Sequence, residues 1–223
     1  MLIAAYLLGA LPFTVALAVT KGIDVSEGDL HIALWHRASP LYAALAVVVD
    51  IAKGAFPVLI GFGFSLPVGV VALAGAIAVI GQMWPPLHGH GEKGNSTAVG
   101  ALFVLLMVYG AYVGLLCFVF FAVGAAVRYA ALVAPPDTPG AGARRGLRVL
   151  PLCMLVGFAS APLLTWVTNE PVGLTLGLLF ILVAIIIRRL TAGVGRDIEV
   201  GASLGPVLVR RLLFDETLVR DDW

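Results

Sequence analysis

Asp50 and Lys53 stand three residues apart in VVVDIAKGAFPV, a run that is otherwise uncharged. Ionisable side chains at membrane depth cost several kcal/mol and face a partner or a cavity. A spacing of three puts both on one face of a helix, where they can pair. Two readings stand: an internal ion pair that orients its helix, or the floor of a polar site. Gly54 and Pro57 follow and predict a bend there.

The second chemical stretch is GHGEKGNSTAVG, Gly89 to Gly100. Gly89, Gly91 and Gly94 let backbone come close to a ligand. Asn95, Ser96 and Thr97 are all residue types that cap helix N-termini. A helix N-terminus with free N–H groups attracts phosphate, and Lys93 adds a cation. The segment reads as a phosphate cradle or as an ordinary Gly-rich turn with a good cap. It is not a P-loop, because its lysine precedes Gly94 instead of following the last glycine. The four histidines are His31, His36, His88 and His90. His88 and His90 have no acid or cysteine at a recognisable ligand spacing, so no metal site is expected. No nucleophile motif or catalytic base is recognisable.

These groups need elements to hold them, and the composition says which. Of 223 residues, 61% are hydrophobic and 12% charged, against about 45–50% and about 25% in soluble domains. The expected class is all-α, a polytopic integral membrane protein. A net charge of +1 and the lack of basic runs with aromatics give no sign of a nucleic-acid partner. Cys117 and Cys153 lie in apolar runs and read as small buried hydrophobes. Met1 leads directly into an apolar run, which reads as a first span and not as a removed signal.

A bilayer core needs roughly 20 apolar residues per helix. Seven runs qualify, at about 1–20, 41–62, 66–83, 97–113, 114–133, 149–167 and 171–188. The fourth and fifth are one unbroken block, with the break expected around Tyr112–Gly114. Seven spans put Lys21, Arg37, Lys93, Arg128, Arg144, Arg145, Arg148 and every basic residue from Arg188 onward on one side. By the positive-inside rule that side is cytoplasmic and the N-terminus is outside. Residues 1–188 then form a membrane domain and 189–223 a cytoplasmic tail. APPDTPGAGARRG, in the fifth loop, reads as a linker. Leu204–Leu213 reads as an interfacial amphipathic helix or a short soluble appendage.

Taken together, YLLGALPF (Tyr6–Phe13), KGID (Lys21–Asp24), DIAKGAFPV (Asp50–Val58), GQMWP (Gly81–Pro85) and GEKGNSTAVG (Gly91–Gly100) resemble, in order, motifs of the bacterial acyl-phosphate:glycerol-3-phosphate acyltransferases. The likeness covers about the first 100 residues; the second half is similar mainly in its apolar spacing. It implies a seven-span enzyme of the bacterial cell membrane that works without a cofactor. Such an enzyme joins the acyl group of an acyl-phosphate to glycerol-3-phosphate, giving lysophosphatidic acid for phospholipid synthesis. Gly91, Lys93, Gly94, Ser96, Thr97 and Arg37 would then bind substrate phosphate, and Asp50 and Lys53 would build the polar floor. The chain departs from the family's motifs at several positions. Where the family has a Ser- and Asn-bearing loop, this chain reads GDLHIALWH (Gly28–His36). Gln82 stands for a histidine and Glu92 for a glycine. A carboxylate beside a bound phosphate repels it by roughly 1 kcal/mol or more. The alternatives are a family member that has lost catalysis and binds lipid or a partner, and a small transporter.

Overall fold

A computed structural model describes the chain except for residues 26–28, 87–90, 134–140, 193, 195–196, 198–202 and 216–223, and except for the side chains of 141–148. His88, His90, Gly28 and most of the fifth-loop linker lie outside the described residues. The described chain is helical. α1 (Leu2–Gly9) and α2 (Phe13–Thr20) make up the first apolar run; α3 (Leu30–Arg37) is a short loop helix; α4 (Pro40–Gly63), α5 (Val68–Met83) and α6 (Asn95–Val108) follow. A short turn of tighter helix, Tyr112–Leu116, leads into α7 (Cys117–Val133), and α8 (Ala141–Val167), α9 (Val172–Thr191) and α10 (Leu204–Phe214) complete the order.

Five apolar segments are long enough to cross a bilayer: Leu2–Thr20, Pro40–Gly63, Tyr112–Val133, Val149–Val167 and Val172–Thr191. Even the most enclosed of them has only 44% of its apolar window buried within the fold. The rest, including Leu7, Leu45, Val48, Phe56, Val119 and Leu176, is exposed. Apolar surface on that scale belongs against lipid. α5 and α6 are also apolar but shorter. At 16 and 14 residues they reach about 24 Å and 21 Å, against a hydrocarbon core of about 30 Å. α5 is the hub, packed by α1, α4, α6 and α9. Its Gly- and Ala-rich sequence allows this, since small residues let helices approach closely without a hydrophobic drive between them.

Two expected boundaries move. The first run is not one helix: Ala10–Pro12 interrupts it, and Pro12 stands as the cap residue of α2. Proline lacks the N–H that would continue the helix. The fourth and fifth runs part at Tyr109–Ala111, a few residues before Tyr112–Gly114, because Gly110 takes the left-handed conformation at φ +72°. α4 runs through Pro57 to Gly63. The tail helix α10 packs on α8 and α9 and buries Val207 and Arg211. There Arg211 is paired with Asp197 at 2.6 Å and also donates to the Ala192 carbonyl.

Candidate functional site

The site begins where α4 crosses α6. A methyl group on Gly54 would overlap the Thr97 carbonyl, and one on Gly100 would overlap the Ile51 carbonyl. With no side chain between them, the two backbones touch, and the first turn of α6 is laid on Asp50. Thr97 Oγ1 donates to the Asp50 carbonyl at 2.9 Å. Ser96 Oγ reaches Asp50 Oδ2 at 3.5 Å, and Thr14 of α2 reaches the same oxygen at 3.4 Å. Lys53 Nζ holds the other oxygen, Oδ1, at 2.9 Å. Asp50 and Lys53 are both buried, so the pair expected from their spacing forms inside the fold.

α3 brings a histidine to the pair. Asp29 caps this helix, accepting from the backbone N–H of His31 at 3.1 Å and of Ile32 at 3.4 Å. That cap turns His31 inward, with Nε2 at 3.2 Å from Asp50 Oδ2 and Nδ1 at 3.7 Å from Asp29. Asp29 is braced from α7 by Arg128 at 3.1 Å. Burial opposes charge on the imidazole, but hydrogen bonds to Asp29 and Asp50 outweigh it and hold His31 up at about 10. Burial likewise pushes the Asp29 carboxyl up, and its bonds to His31 and Arg128 bring it well below the ordinary carboxylate range.

Glu92 approaches from the loop before α6. Gln82, at the end of α5, donates to Glu92 Oε2 at 3.0 Å, and its own oxygen contacts the Thr97 hydroxyl. Burial first, and the Asp50 carboxylate second, push Glu92 up to about 7. Ligand atoms of His31, Asp50 and Glu92 all lie within 4.8 Å of one another.

The other predicted residues fall nearby but are differently engaged. The N-cap of α6 is Gly94, in the left-handed conformation at φ +72°. The expected cappers make no side-chain cap bond; Ser96 and Thr97 turn their hydroxyls to Asp50 and Gln82 instead. The Gly91 carbonyl accepts from Arg188 of α9, whose guanidinium also sits over the Trp84 ring at 5.7 Å. Lys93 is half exposed and pairs with Asp215, just past α10, at 2.7 Å. Arg37 lies exposed in the last turn of α3, about 9 Å along the axis from His31. The structure thus gathers Asp50, Lys53, Ser96 and Thr97, sets Lys93 and Gly91 at the rim, and leaves Arg37 apart. Sequence reasoning missed His31, Asp29 and Asp215 as members. An Asp directly before a helical run is a capping signal that could have marked Asp29.

A groove of about 430 Å³ runs from this cluster along α1, α2 and α4. Leu8, Leu11, Phe13, Val49 and Phe56 are among its walls, and Lys53 is its one charged lining residue. The break at Ala10–Pro12 shapes it. An apolar slot with a buried lysine in its wall suits an amphiphile.

Comparison with known proteins agrees on one family. The profile described as glycerol-3-phosphate acyltransferase matches residues 1–196. The glycerol-3-phosphate acyltransferase of Aquifex aeolicus is 34% identical over 111 residues, 47% of this chain and 58% of that protein. Its namesake in Methylobacillus flagellatus is 32% identical over 144 residues, 62% of this chain and 74% of that one. The match to the Aquifex protein thus spans less than two thirds of its length. Among solved structures, PlsY (YgiH), an integral membrane glycerol 3-phosphate acyltransferase, in its lysophosphatidic acid form, superposes with a TM-score of 0.62 at 26% identity, covering 90% of each chain. Its glycerol 3-phosphate form shares the fold at 24% identity and a TM-score of 0.64.

Proposed function

The chain belongs to the glycerol-3-phosphate acyltransferase family, and from that premise we propose that it transfers an acyl group from an acyl-phosphate to the sn-1 hydroxyl of glycerol-3-phosphate. The product is lysophosphatidic acid, released for phospholipid synthesis. The observation that carries this reading is the apolar groove lined by α1, α2 and α4, with buried Lys53 in its wall. An acyl chain lies in the groove. Its phosphate then meets the Lys53 ammonium, the Ser96 and Thr97 hydroxyls and the positive end of the α6 dipole. The acceptor hydroxyl attacks the acyl carbon, the bond from that carbon to the phosphate oxygen breaks, and the departing phosphate keeps the bonding electrons and takes up the hydroxyl proton. Groups that neutralise the departing phosphate lower the barrier. Lys93, Gly91 and Gly94 at the rim receive the phosphate of the acceptor, with Arg37 further out.

The protein spans the membrane seven times, with α5 and α6 as the short crossings, its N-terminus outside and its active face in the bacterial cytoplasm. The tail from residue 189 lies on that face. This orientation is supported by the contacts of Arg128, Arg188 and Lys93 with Asp29, Gly91 and Asp215. Basic residues from far-apart loops meet at one end of the bundle, as the positive-inside rule requires of one face.

The test is direct. Purified protein in detergent or lipidic phase is given an acyl-phosphate and labelled glycerol-3-phosphate. Lysophosphatidic acid and free phosphate should appear together, and Lys53→Met should abolish both. Folded protein without turnover would favour the second reading, a member that binds lipid without catalysis. Glu92 in the site and Asp215 on Lys93 are the observations on that side.

A further inference from the structure

The Asp50 cluster sets three carboxylates, Asp29, Asp50 and Glu92, against Lys53, Arg128 and His31. Lys53 neutralises Asp50 through Oδ1 at 2.9 Å, and Arg128 neutralises Asp29 at 3.1 Å. Glu92 is left with the Gln82 amide as its hydrogen-bond partner among the described residues. It still points at the carboxylate of Asp50, with His31 on the third side. One donor atom each from two carboxylates and an imidazole, carried by α3, α4 and the loop before α6, lies within 4.8 Å of the other two. We infer that His31, Asp50 and Glu92 form a site for a divalent first-row cation of the Mn²⁺ or Zn²⁺ class.

The geometry favours coordination over a chance meeting. His31 Nε2 and Asp50 Oδ2 are 3.2 Å apart. Two donors at about 2.1 Å from one ion subtend that distance at roughly 100°, between octahedral and tetrahedral angles. The ion takes the place of the proton that these two atoms otherwise share. Mixed nitrogen and carboxylate ligands select Mn²⁺ or Zn²⁺ over the all-oxygen sites of Ca²⁺ and Mg²⁺. Each ligand also has an outer partner. Asp29 Oδ1 lies 3.7 Å from the far ring nitrogen of His31, Gln82 fixes Glu92, and Lys53 occupies the second oxygen of Asp50. Such outer bonds orient ligands in metal sites. Three protein ligands would leave further positions on the ion for water or a substrate oxygen.

The site does not depend on the acyltransferase reading; only its use as a bridge to substrate phosphate does. A bridging cation would also reconcile Glu92 with an anionic substrate, since it converts a repulsive carboxylate into a tether.

The probe is Mn²⁺ alone, titrated into chelator-treated, dialysed full-length protein in detergent and followed by electron paramagnetic resonance. One Mn²⁺ should bind per chain, with nitrogen modulation of its signal from His31. Glu92→Gln should weaken binding at least tenfold, and His31→Gln should weaken it and remove the nitrogen modulation. Zn²⁺ should displace the bound Mn²⁺. Unfolding temperature in the absence of metal identifies variants that have merely failed to fold, and Glu92→Gln, nearly isosteric, keeps the test alive if His31→Gln is one of them. Folded wild-type protein that binds no stoichiometric Mn²⁺, or a folded Glu92→Gln that binds as wild type does, overturns the proposal. Because no substrate is present, cation binding without turnover would fault the functional reading alone, and turnover without cation binding would fault the site alone.

Discussion

At the α4–α6 crossing the two backbones touch through Gly54 and Gly100, and Asp50, Lys53, Ser96 and Thr97 meet there. At the α7–α8 pair the contact is made by rings. Phe118, Phe121 and Phe158 follow one another at centroid distances of 5.2 Å and 4.9 Å. Gly157 abuts the Phe121 ring, and Gly124 abuts Cys153 and Leu150. α7 sends one long side chain, Arg128, to the site. A backbone seam leaves no side chain to shift, so hydroxyls and charges on it are placed to a few tenths of an ångström. A ring seam can readjust, and the polar chemistry avoids it.

Substitutions at matched glycines test this contrast and carry the largest expected effect. Gly100→Ala sets a Cβ on the Ile51 carbonyl, and we expect a loss above about 4 kcal/mol, enough to prevent folded protein from accumulating. Gly157→Ala meets a ring that can turn, and should cost about 1 kcal/mol, within the usual range for mild overpacking. Yield of monodisperse protein and thermal unfolding in detergent measure both. Equal losses would end the distinction between the seams.

Next in size is the charge held by the backbone seam. Lys53→Met leaves Asp50 buried without its cation, and removing one partner of a buried pair typically costs about 3–5 kcal/mol. The double variant Lys53→Met with Asp50→Leu should recover much of that stability while turnover stays absent. If the double variant is no more stable than the single one, the pair does not act as a unit.

Glu92 gives a smaller, pH-dependent effect in metal-free protein. Its folded value of about 7 lies above the ordinary 4.5. The folded state therefore holds the proton more tightly than the unfolded state does. The resulting stabilisation is fully present below about pH 4.5 and is lost as pH rises through about 7. Unfolding temperature should decline across that window in wild type, and Glu92→Gln should flatten the decline. An unchanged pH profile in the variant would show that Glu92 does not titrate in the folded site.

Much of the seam was readable in the chain itself. The spacing of Asp50 and Lys53 foretold their pairing, the apolar runs foretold the helices, and Gly91–Thr97 was placed at the head of α6. The profile match and the PlsY likeness agree with the family read from those motifs. What escaped was every contact that joins distant segments. His31 reaches Asp50 across 19 residues, and Arg128 reaches Asp29 across 99. Periodicity reports which face of a helix is apolar, not which loop side chain will meet it. The capping residue escaped for a different reason. Asn95, Ser96 and Thr97 all cap well in isolation, but packing against α4 and α5 gave Ser96 and Thr97 other partners, and Gly94 in the left-handed conformation ended the loop instead.

The last contrast lies between the two lysines, and its expected effect on stability is the smallest. Lys53 is 4% exposed and Lys93 is 51% exposed. The pair of Lys93 with Asp215 is therefore screened by water, and Asp215→Asn should change stability by less than about 1 kcal/mol. Function should respond more strongly. Asp215 lies just past α10 and occupies the ammonium that the proposed acceptor site would use. On that proposal, substrate would displace a carboxylate to bind there. Removing that competitor should lower KM for glycerol-3-phosphate several-fold and leave kcat nearly unchanged, because uniform binding is gained with no change in the transition state. Lys93→Ala should raise KM in the opposite direction and make the Asp215→Asn change silent in the double variant. If instead Asp215→Asn lowers kcat, the tail helix holds the site in its working shape, and the contact at Lys93 is a brace and not a competitor.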